Sequence, residues 1–239
     1  MRIGILGNKG RMGQVLMAEV ANTKGVQLSG GADKGDDVEA LIKKSDAVID
    51  FTHPTSTLEF AKLTSKHKKI HVIGTTGFSE SQLKELKKLA GKTQIFWSQN
   101  MSIGVNLAAF LTQKAAELLD DSYDIEILEM HHRYKKDSPS GTALLLGEAA
   151  SIGRKTKFTR SVKHDRNGER KRGEIGYAAL RGGSVIGDHT VIFAGDNDRI
   201  EITHKSSSRD IYARGAIKAA TWLKGKKAGF YSMSDLIRF

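Results

Sequence analysis

Residues 1–13 read MRIGILGNKGRMG. After one basic residue, the apolar run IGIL leads directly into Gly7, Gly10 and Gly13, and a helical pattern follows. A strand that passes through a glycine-rich turn into a helix is typical of dinucleotide-binding folds, where N–H groups at the helix start face the pyrophosphate. The spacing is G-x-x-G-x-x-G instead of the common G-x-G-x-x-G, so the loop alone would also fit a plain glycine-rich turn.

An acidic residue supports the nucleotide interpretation. Asp33 lies 20 residues beyond Gly13, after the second predicted strand, where a carboxylate can accept hydrogen bonds from the adenosine ribose. Lys34 beside it is suited to neutralise a 2′-phosphate. Asp33 favours binding of NADH and Lys34 permits binding of NADPH, so the sequence leaves both cofactors possible. The alternative for Asp33 is an ordinary turn-forming acid before Gly35.

The first hundred residues alternate apolar runs and helical patterns at βα spacing, which predicts a parallel, Rossmann-like sheet covered by helices. Ser79 and Gln82 have the spacing of a capping box at the start of the last of these helices. The predicted strands span residues 2–6, 26–31, 47–51, 70–73 and 94–97, and the predicted helices span 11–23, 54–66 and 79–90.

Three polar loops follow successive predicted strands: 51–54, 74–77 and 98–101. Loops after parallel strands converge at the carboxyl edge of a sheet, where open α/β folds bind ligands. The stretch GTTG at 74–77 would let a flat ring approach closely, and its backbone amides would hold a carboxamide. A plain βα turn is the alternative.

The second half changes character and predicts an α+β substrate and oligomerisation domain with a mixed sheet. An amphipathic segment precedes a predicted strand and helix, and the turn signals beyond them suggest an antiparallel meander. The final predicted helix returns to cover the first sheet, so the first domain is discontinuous. The expected segments are 104–119, 124–130, 140–152, 173–205 and 211–223, in a dinucleotide-binding domain of 1–101 with 210–239 and a substrate-binding domain of 102–209.

The formal net charge of +11, from 38 Lys and Arg against 27 Asp and Glu, suits an anionic small molecule or a polyanion. The densest basic cluster, residues 163–172, lacks aromatic residues for base stacking, so no nucleic-acid partner is expected. The sequence has no cysteine, which excludes disulfides and thiolate catalysis. With no apolar run long enough for a signal peptide or membrane span, we expect a cytoplasmic protein without a membrane partner.

Residues 129–143, EMHHRYKKDSPSGTA, combine cations, imidazoles and a helix start. Histidine and lysine can donate protons near neutral pH. The run Ser140-Gly141-Thr142 would present backbone N–H groups and hydroxyls to a carboxylate. No metal is expected, because the adjacent His131 and His132 point to opposite sides of an extended segment and no further ligand has a suitable spacing.

These motifs resemble those of the dihydrodipicolinate reductases, also called 4-hydroxy-tetrahydrodipicolinate reductases, of the lysine and diaminopimelate pathway. The resemblance runs along nearly the whole chain, and the block from His131 to Ala143 is its most specific part. It is carried by GNKGRMG, GTTGF, SQNMSIGVN, EMHHRYKKDSPSGTA, RGGSVIGDHTVIF, EITHKSSSR and the final helix.

The resemblance implies a hydride transfer from NADH or NADPH to a small cyclic dicarboxylate. It implies His131 as the proton donor and Lys135 as its catalytic partner, with Arg209 where the chain crosses back to the first domain. It implies cofactor contacts at Gly7, Gly10, Arg11, Met12, Asp33, Gly74, Thr76, Asn100 and Met101, beside the Lys34 noted above, and substrate contacts at His132, Lys135, Ser140, Gly141 and Thr142.

The same resemblance implies a homotetramer built through the second sheet, and domains that close over substrate. One departure affects the adenosine side: only twelve residues, Lys34 to Ser45, separate Asp33 from the next strand, where many members have a longer insertion. Two other functions remain open on the sequence. One is a dehydrogenase of another amino-acid-derived substrate such as aspartate, and the other is a nicotinamide-sensing or nucleic-acid-binding module.

Overall fold

The computed structural model describes residues 1–158 and 168–237. Within the basic cluster, residues 163–167 lie outside the described residues. The chain forms two compact units, Met1–Ile103 with Arg209–Phe239, and Gly104–Ser208. Among the described helices, none has both the length and the apolar character needed to cross a membrane.

The described elements follow one another in an alternating first part and a mixed second part. In chain order they are β1 Arg2–Leu6, α1 Arg11–Asn22, β2 Gln27–Ala32, α2 Val38–Lys44, β3 Ala47–Asp50, α3 Pro54–Lys66, β4 Ile70–Ile73, α4 Glu80–Leu89, β5 Gln94–Trp97, α5 Ile103–Leu118, β6 Asp124–His131, α6 Gly141–Gly153, β7 Ile175–Arg181, β8 Gly187–Ala194, β9 Arg199–Ser206, α7 Asp210–Trp222, β10 Gly229–Tyr231 and α8 Met233–Ile237.

The first unit is a six-stranded sheet in the order β10-β5-β4-β3-β1-β2, with every neighbouring pair parallel. All residues of β3 and β4 are buried, as expected for strands that helices cover on both faces. The Rossmann-like prediction is therefore confirmed, as is the capping box of Ser79 and Gln82 at α4.

Helix α7 covers the sheet of the first unit, as the sequence predicted. Ala213, Ala216 and Ala220 are fully buried and share one core with Ile3 and Leu16. Three short elements were not predicted: α2 of seven residues, β10 of three and α8 of five. Elements this short leave almost no periodic pattern in a sequence.

The second unit contains a mixed four-stranded sheet in the order β7-β6-β8-β9. The meander prediction is correct for β8 and β9, which pair antiparallel, and wrong for β7 and β8, because β6 lies between them. Strand β6 is parallel to β7 and antiparallel to β8. Strand β6 therefore has a neighbour on each edge, and its inward residues Ile125 and Ile127 are almost fully buried.

The parallel pairing of β6 and β7 positions the candidate site of the second unit. Both strands end at the same edge of the sheet, with His131 opposite Arg181 in the register. The next residues continue this contact, since Gly182 N donates to the His131 carbonyl at 2.9 Å and Arg133 N donates to the Gly183 carbonyl at 3.3 Å.

Candidate active site

The glycine corner of the first unit brings the start of α1 against the end of β1. Gly7 has a φ of +80°, and a Cβ on Gly13 would lie 2.0 Å from the Gly7 carbonyl oxygen. Only glycine therefore fits at position 13. The first turn of α1 carries no acidic residue, so its N–H groups and the helix dipole favour an anion at this corner.

Asp33 joins the glycine corner to the turn after β2. Its Oδ2 accepts a hydrogen bond from Lys9 N at 3.1 Å and its Oδ1 accepts one from Lys34 N at 2.8 Å. These two backbone bonds, that of Lys34 first, lower the pKa of Asp33, so the carboxylate is ionised. Asp36 lies next to it, where its Oδ2 accepts a hydrogen bond from Asp33 N at 2.8 Å and is 3.8 Å from Lys9 Nζ. Arg11 and Lys34 are exposed, so this end of the corner has exposed cations and two acids that are already bonded.

A buried carboxylate holds the loops that follow β3 and β4. Asp50 is fully buried, and its Oδ1 accepts bonds from Thr52 N at 2.9 Å and Thr52 Oγ1 at 2.6 Å. Thr75 Oγ1 donates to the same oxygen at 3.4 Å. The ring of Phe51 lies over Gly74, where a Cβ would be 2.2 Å from Cζ. The predicted residue Thr76 follows this fixed segment and is exposed.

The loop after β5 contains two predicted cofactor residues, Asn100 and Met101, whose side chains lie in different surroundings. Asn100 Oδ1 accepts a hydrogen bond from Ser102 N at 2.8 Å and so shapes the start of α5. The Met101 side chain is 2% exposed and belongs to the core of the first unit. Its carbonyl oxygen would lie 1.8 Å from a Cβ on Gly215. Any ligand contact at Met101 would therefore have to involve its backbone.

In the second unit, His131 and Ser140 both bond to a residue that was not predicted, Glu129. Glu129 and His131 are two residues apart on β6 and point to the same buried face. His131 Nδ1 lies 2.5 Å from Glu129 Oε2, and Ser140 N donates to Glu129 Oε1 at 3.1 Å. Arg181 reaches both carboxylate oxygens, at 2.8 and 2.9 Å.

His189 of β8 was also not predicted and lies behind the same cluster. Its ring packs edge-on against His131, with centroids 5.0 Å apart, and its Nε2 is 2.9 Å from Ser140 Oγ. Burial, followed by repulsion from His131, lowers the pKa of His189 to about 4. His189 is therefore neutral near pH 7. Ser140 Oγ also accepts from Ala143 N at 3.1 Å, so both polar groups of Ser140 bond within the protein.

Lys135 lies in the loop between β6 and α6. Its Nζ donates to both carboxylate oxygens of Asp137 at 2.8 Å. Burial opposes ionisation of Asp137, but the bond from Lys135 outweighs it and lowers the pKa of Asp137. Lys135 is thus paired with an acid that is largely exposed.

The remaining predicted residues of this unit flank the loop. His132 is half-buried with its ring 6.4 Å from that of Tyr134. Gly141 is exposed and Thr142 is half-buried in the first turn of α6. Within residues 1–158 and 168–237, no group of three or more His, Asp or Glu side chains is arranged to hold a metal.

Sequence reasoning missed Glu129, Arg181 and His189 for different reasons. The period of two in β6 was enough to place Glu129 on the same face as His131. Arg181 and His189 come from β7 and β8, which lie on either side of β6, so their approach depends on strand order and register. The sequence does not specify either of these.

The chain is similar to one family along almost its full length. Residues 1–101 match the model described as dihydrodipicolinate reductase, N-terminus, and residues 104–237 match the corresponding C-terminus. The 4-hydroxy-tetrahydrodipicolinate reductase of Agrobacterium fabrum is 45% identical, covering 99% of this chain and 96% of the relative. That of Parvibaculum lavamentivorans is also 45% identical, covering 99% and 97%.

Among solved structures, this chain is similar to the dipicolinate-bound dihydrodipicolinate reductase from Paenisporosarcina sp. TG-14. The TM-score is 0.79 at 26% sequence identity, and the match covers 99% of each chain.

We predict that His189 makes the protein less stable in mild acid. Its folded pKa of about 4 lies below the ordinary 6.5, so the unfolded chain takes up a proton that the folded chain excludes. Stability is fully present above pH 6.5 and falls as the pH drops toward 4, by about 2 kcal/mol between pH 7 and pH 5. Urea unfolding at both pH values should show a smaller drop for His189→Gln, and exposed His53→Gln is the control. An unchanged drop in His189→Gln would contradict this.

Proposed function

This chain belongs to the dihydrodipicolinate reductase family, and we propose that the two clusters described above carry its reaction. It is an NAD(P)H-dependent oxidoreductase of lysine and diaminopimelate biosynthesis. It reduces a cyclic dicarboxylate, 4-hydroxy-tetrahydrodipicolinate or dihydrodipicolinate, to tetrahydrodipicolinate. The observation that carries the proposal is that one chain has both an anion-binding glycine corner and a buried histidine beside a cationic helix start.

We assign the cofactor to the glycine corner and the loops at the carboxyl edge of the first sheet. The missing side chain of Gly13 and the acid-free start of α1 suit a pyrophosphate, with Gly7, Gly10, Arg11 and Met12 around it. Bound there, the reduced nicotinamide would supply the hydride. The remaining proposed contacts are Asp33 and Lys34 at the adenosine end, and Gly74, Thr76, Asn100 and the Met101 backbone at the other.

We assign the substrate carboxylates to the loop and helix start of the second unit. Lys135 already binds the Asp137 carboxylate, and a substrate carboxylate would replace or join that acid. His132, Gly141 and Thr142 complete this cationic surface with the N-terminal turn of α6. Ser140 fixes that turn, since its Oγ caps α6.

His131 then donates the proton that completes reduction, with Lys135 as its partner. His131 is 7% exposed, which limits access of bulk water to the ring. The chain's part in catalysis is to orient the substrate ring, neutralise its charges and deliver this proton, while direct hydride transfer requires the substrate to contact the nicotinamide.

We expect His131→Ala and Lys135→Ala each to lower kcat by about a hundredfold or more, because each removes a group that acts on the substrate. Reduced-nicotinamide absorbance, followed with enzymatically generated substrate, measures the rate. Lys136→Ala, which changes the exposed neighbour, is the control. A double variant of His131 and Lys135 with normal turnover would rule out both roles.

Cofactor preference should depend on the pair Asp33 and Lys34. Asp33→Asn removes the charged acceptor for ribose hydroxyls and should raise the KM for NADH about tenfold, with a smaller effect on NADPH. Lys34→Ala should do the opposite, raising the KM for NADPH more than that for NADH. Steady-state kinetics with each cofactor in turn test this, and equal effects of each variant on both cofactors would argue against it.

We propose a homotetramer formed through the outer face of the second sheet. Leu128 and Leu180 are 36% and 49% exposed there, and Met130 and Ile192 lie on the same face in the register. An apolar sheet face of this kind is suited to burial against another copy. We also propose a cytoplasmic location, because the cysteine-free composition suits a reducing compartment.

Leu180→Asp should break the proposed assembly, because it puts a charge into an apolar interface. Sedimentation velocity should show a tetramer for the unaltered protein and smaller species for this variant. Leu118→Asp is the matched control, since Leu118 is 83% exposed at the end of α5 and belongs to no strand of the sheet. A monomeric unaltered protein, or a tetrameric Leu180→Asp variant, would refute the proposed interface.

A further inference from the structure

Glu129 is the most highly bonded carboxylate of the second unit's cluster. It is 1% exposed, and its two oxygens receive four donors: His131 Nδ1, both terminal nitrogens of Arg181 and Ser140 N. Burial acts to raise the pKa of Glu129, but the bonds from His131 and Arg181 outweigh it and bring the pKa to about 2. The carboxylate is therefore ionised and can only accept hydrogen bonds near neutral pH.

Arg181 fixes the orientation of this carboxylate. Its two terminal nitrogens bind one oxygen each in the planar fork geometry that arginine and carboxylates share. The same side chain donates to the Leu180 carbonyl at 2.7 Å and the Asp137 carbonyl at 2.7 Å. Rotation of the Glu129 carboxylate would break both of its hydrogen bonds to Arg181 at once.

A fixed, ionised carboxylate determines which nitrogen of His131 carries hydrogen. Because Glu129 Oε2 can only accept, the Nδ1 that faces it must carry hydrogen. Nε2 is then the atom that takes up a proton from water and passes it to the substrate, which returns the ring to its Nδ1–H form. A Cβ on Gly187 would lie 2.9 Å from Nε2, so the glycine there keeps this atom uncovered by a side chain.

The same carboxylate also positions the start of α6, through Ser140 N. The other charged and titratable groups around His131 do not compete for Nδ1. His189 is neutral near pH 7, and Lys135 is paired with Asp137. His204, the partner of His189 on β9, also has a pKa lowered by burial.

We propose that Glu129 is a positioning residue. It keeps the hydrogen of His131 on Nδ1 and fixes the His131 ring relative to the start of α6, and Arg181 in turn fixes Glu129. This inference rests on the proposed function for its kinetic consequence, since it assumes that His131 delivers the proton. Its structural part, the hydrogen on Nδ1, does not depend on any activity.

Glu129→Gln is the sharpest test, because the amide has the same shape but replaces one acceptor by a donor. Arg181 and Ser140 N can only donate, so the least unfavourable orientation turns the new NH₂ toward His131. Nδ1 must then accept, and the neutral ring carries hydrogen on Nε2. Glu117→Gln is the control, since Glu117 is an exposed carboxylate of the same unit bonded to Lys114.

Two measurements on the full protein decide the inference. The ¹⁵N chemical shifts of the His131 ring at pH 8, assigned with a His131→Gln variant, should report Nδ1–H in the unaltered and Glu117→Gln proteins and Nε2–H in Glu129→Gln. In kinetics, Glu129→Gln should lower kcat by about a hundredfold with the KM for the cofactor changed by less than about twofold.

If His131 of the unaltered protein carries its hydrogen on Nε2, the inference is overturned. The test therefore works even when the Glu129→Gln protein fails to fold. A folded Glu129→Gln variant with an unchanged tautomer or with kcat within twofold also overturns it. If the unaltered protein shows Nδ1–H but lacks reductase activity, the proposed function fails while the positioning of His131 stands.

Discussion

The second unit depends on the requirement that the buried Glu129 carboxylate be matched by donors. A charge that is 1% exposed is stable only when it is paired and hydrogen-bonded. Arg181 supplies two donors from the end of β7, which requires β7 to run parallel to β6 so that both strands end at one edge. A meander of β7 and β8 would not place Arg181 opposite His131. The polar cluster and the mixed sheet order are therefore consistent with each other.

Carboxylates have the same organising role in the first unit, at two degrees of burial. Asp50 is fully buried and fixes the loops after β3 and β4 through threonine donors. Its Oδ2 also lies 3.3 Å from Nε2 of the neighbouring His71. Asp33 is partly exposed and binds backbone N–H groups on both sides of the glycine corner. The buried acid shapes the sheet edge, whereas the partly exposed one links the glycine corner to the turn after β2.

Charge is distributed so that each cluster favours an anionic ligand. Helix α1 begins without an acidic residue, and α6 begins beside Lys135 and His132. The acids that lie close by are already bonded, Asp33 to backbone N–H groups and Asp137 to Lys135. The net charge of +11 thus matters less than the local arrangement, in which helix starts without acidic residues lie near cations and the nearby acids are already hydrogen-bonded.

Local periodicity, capping and glycine geometry are enough to predict the parallel sheet, the glycine corner and the return of α7 from the sequence. The functional roles of Asp33 and of residues 131–142 stay predictions. The sequence did not determine the position of β6 between β7 and β8, the short elements α2, β10 and α8, or the roles of Arg181 and His189. Strand order and register bring residues 50 or more positions apart into contact, as in Arg181 and Glu129 at 2.8 Å. These contacts form only in the folded chain, because the partners of a buried charge are the groups that lie close to it in space, and no local pattern in the sequence encodes that proximity.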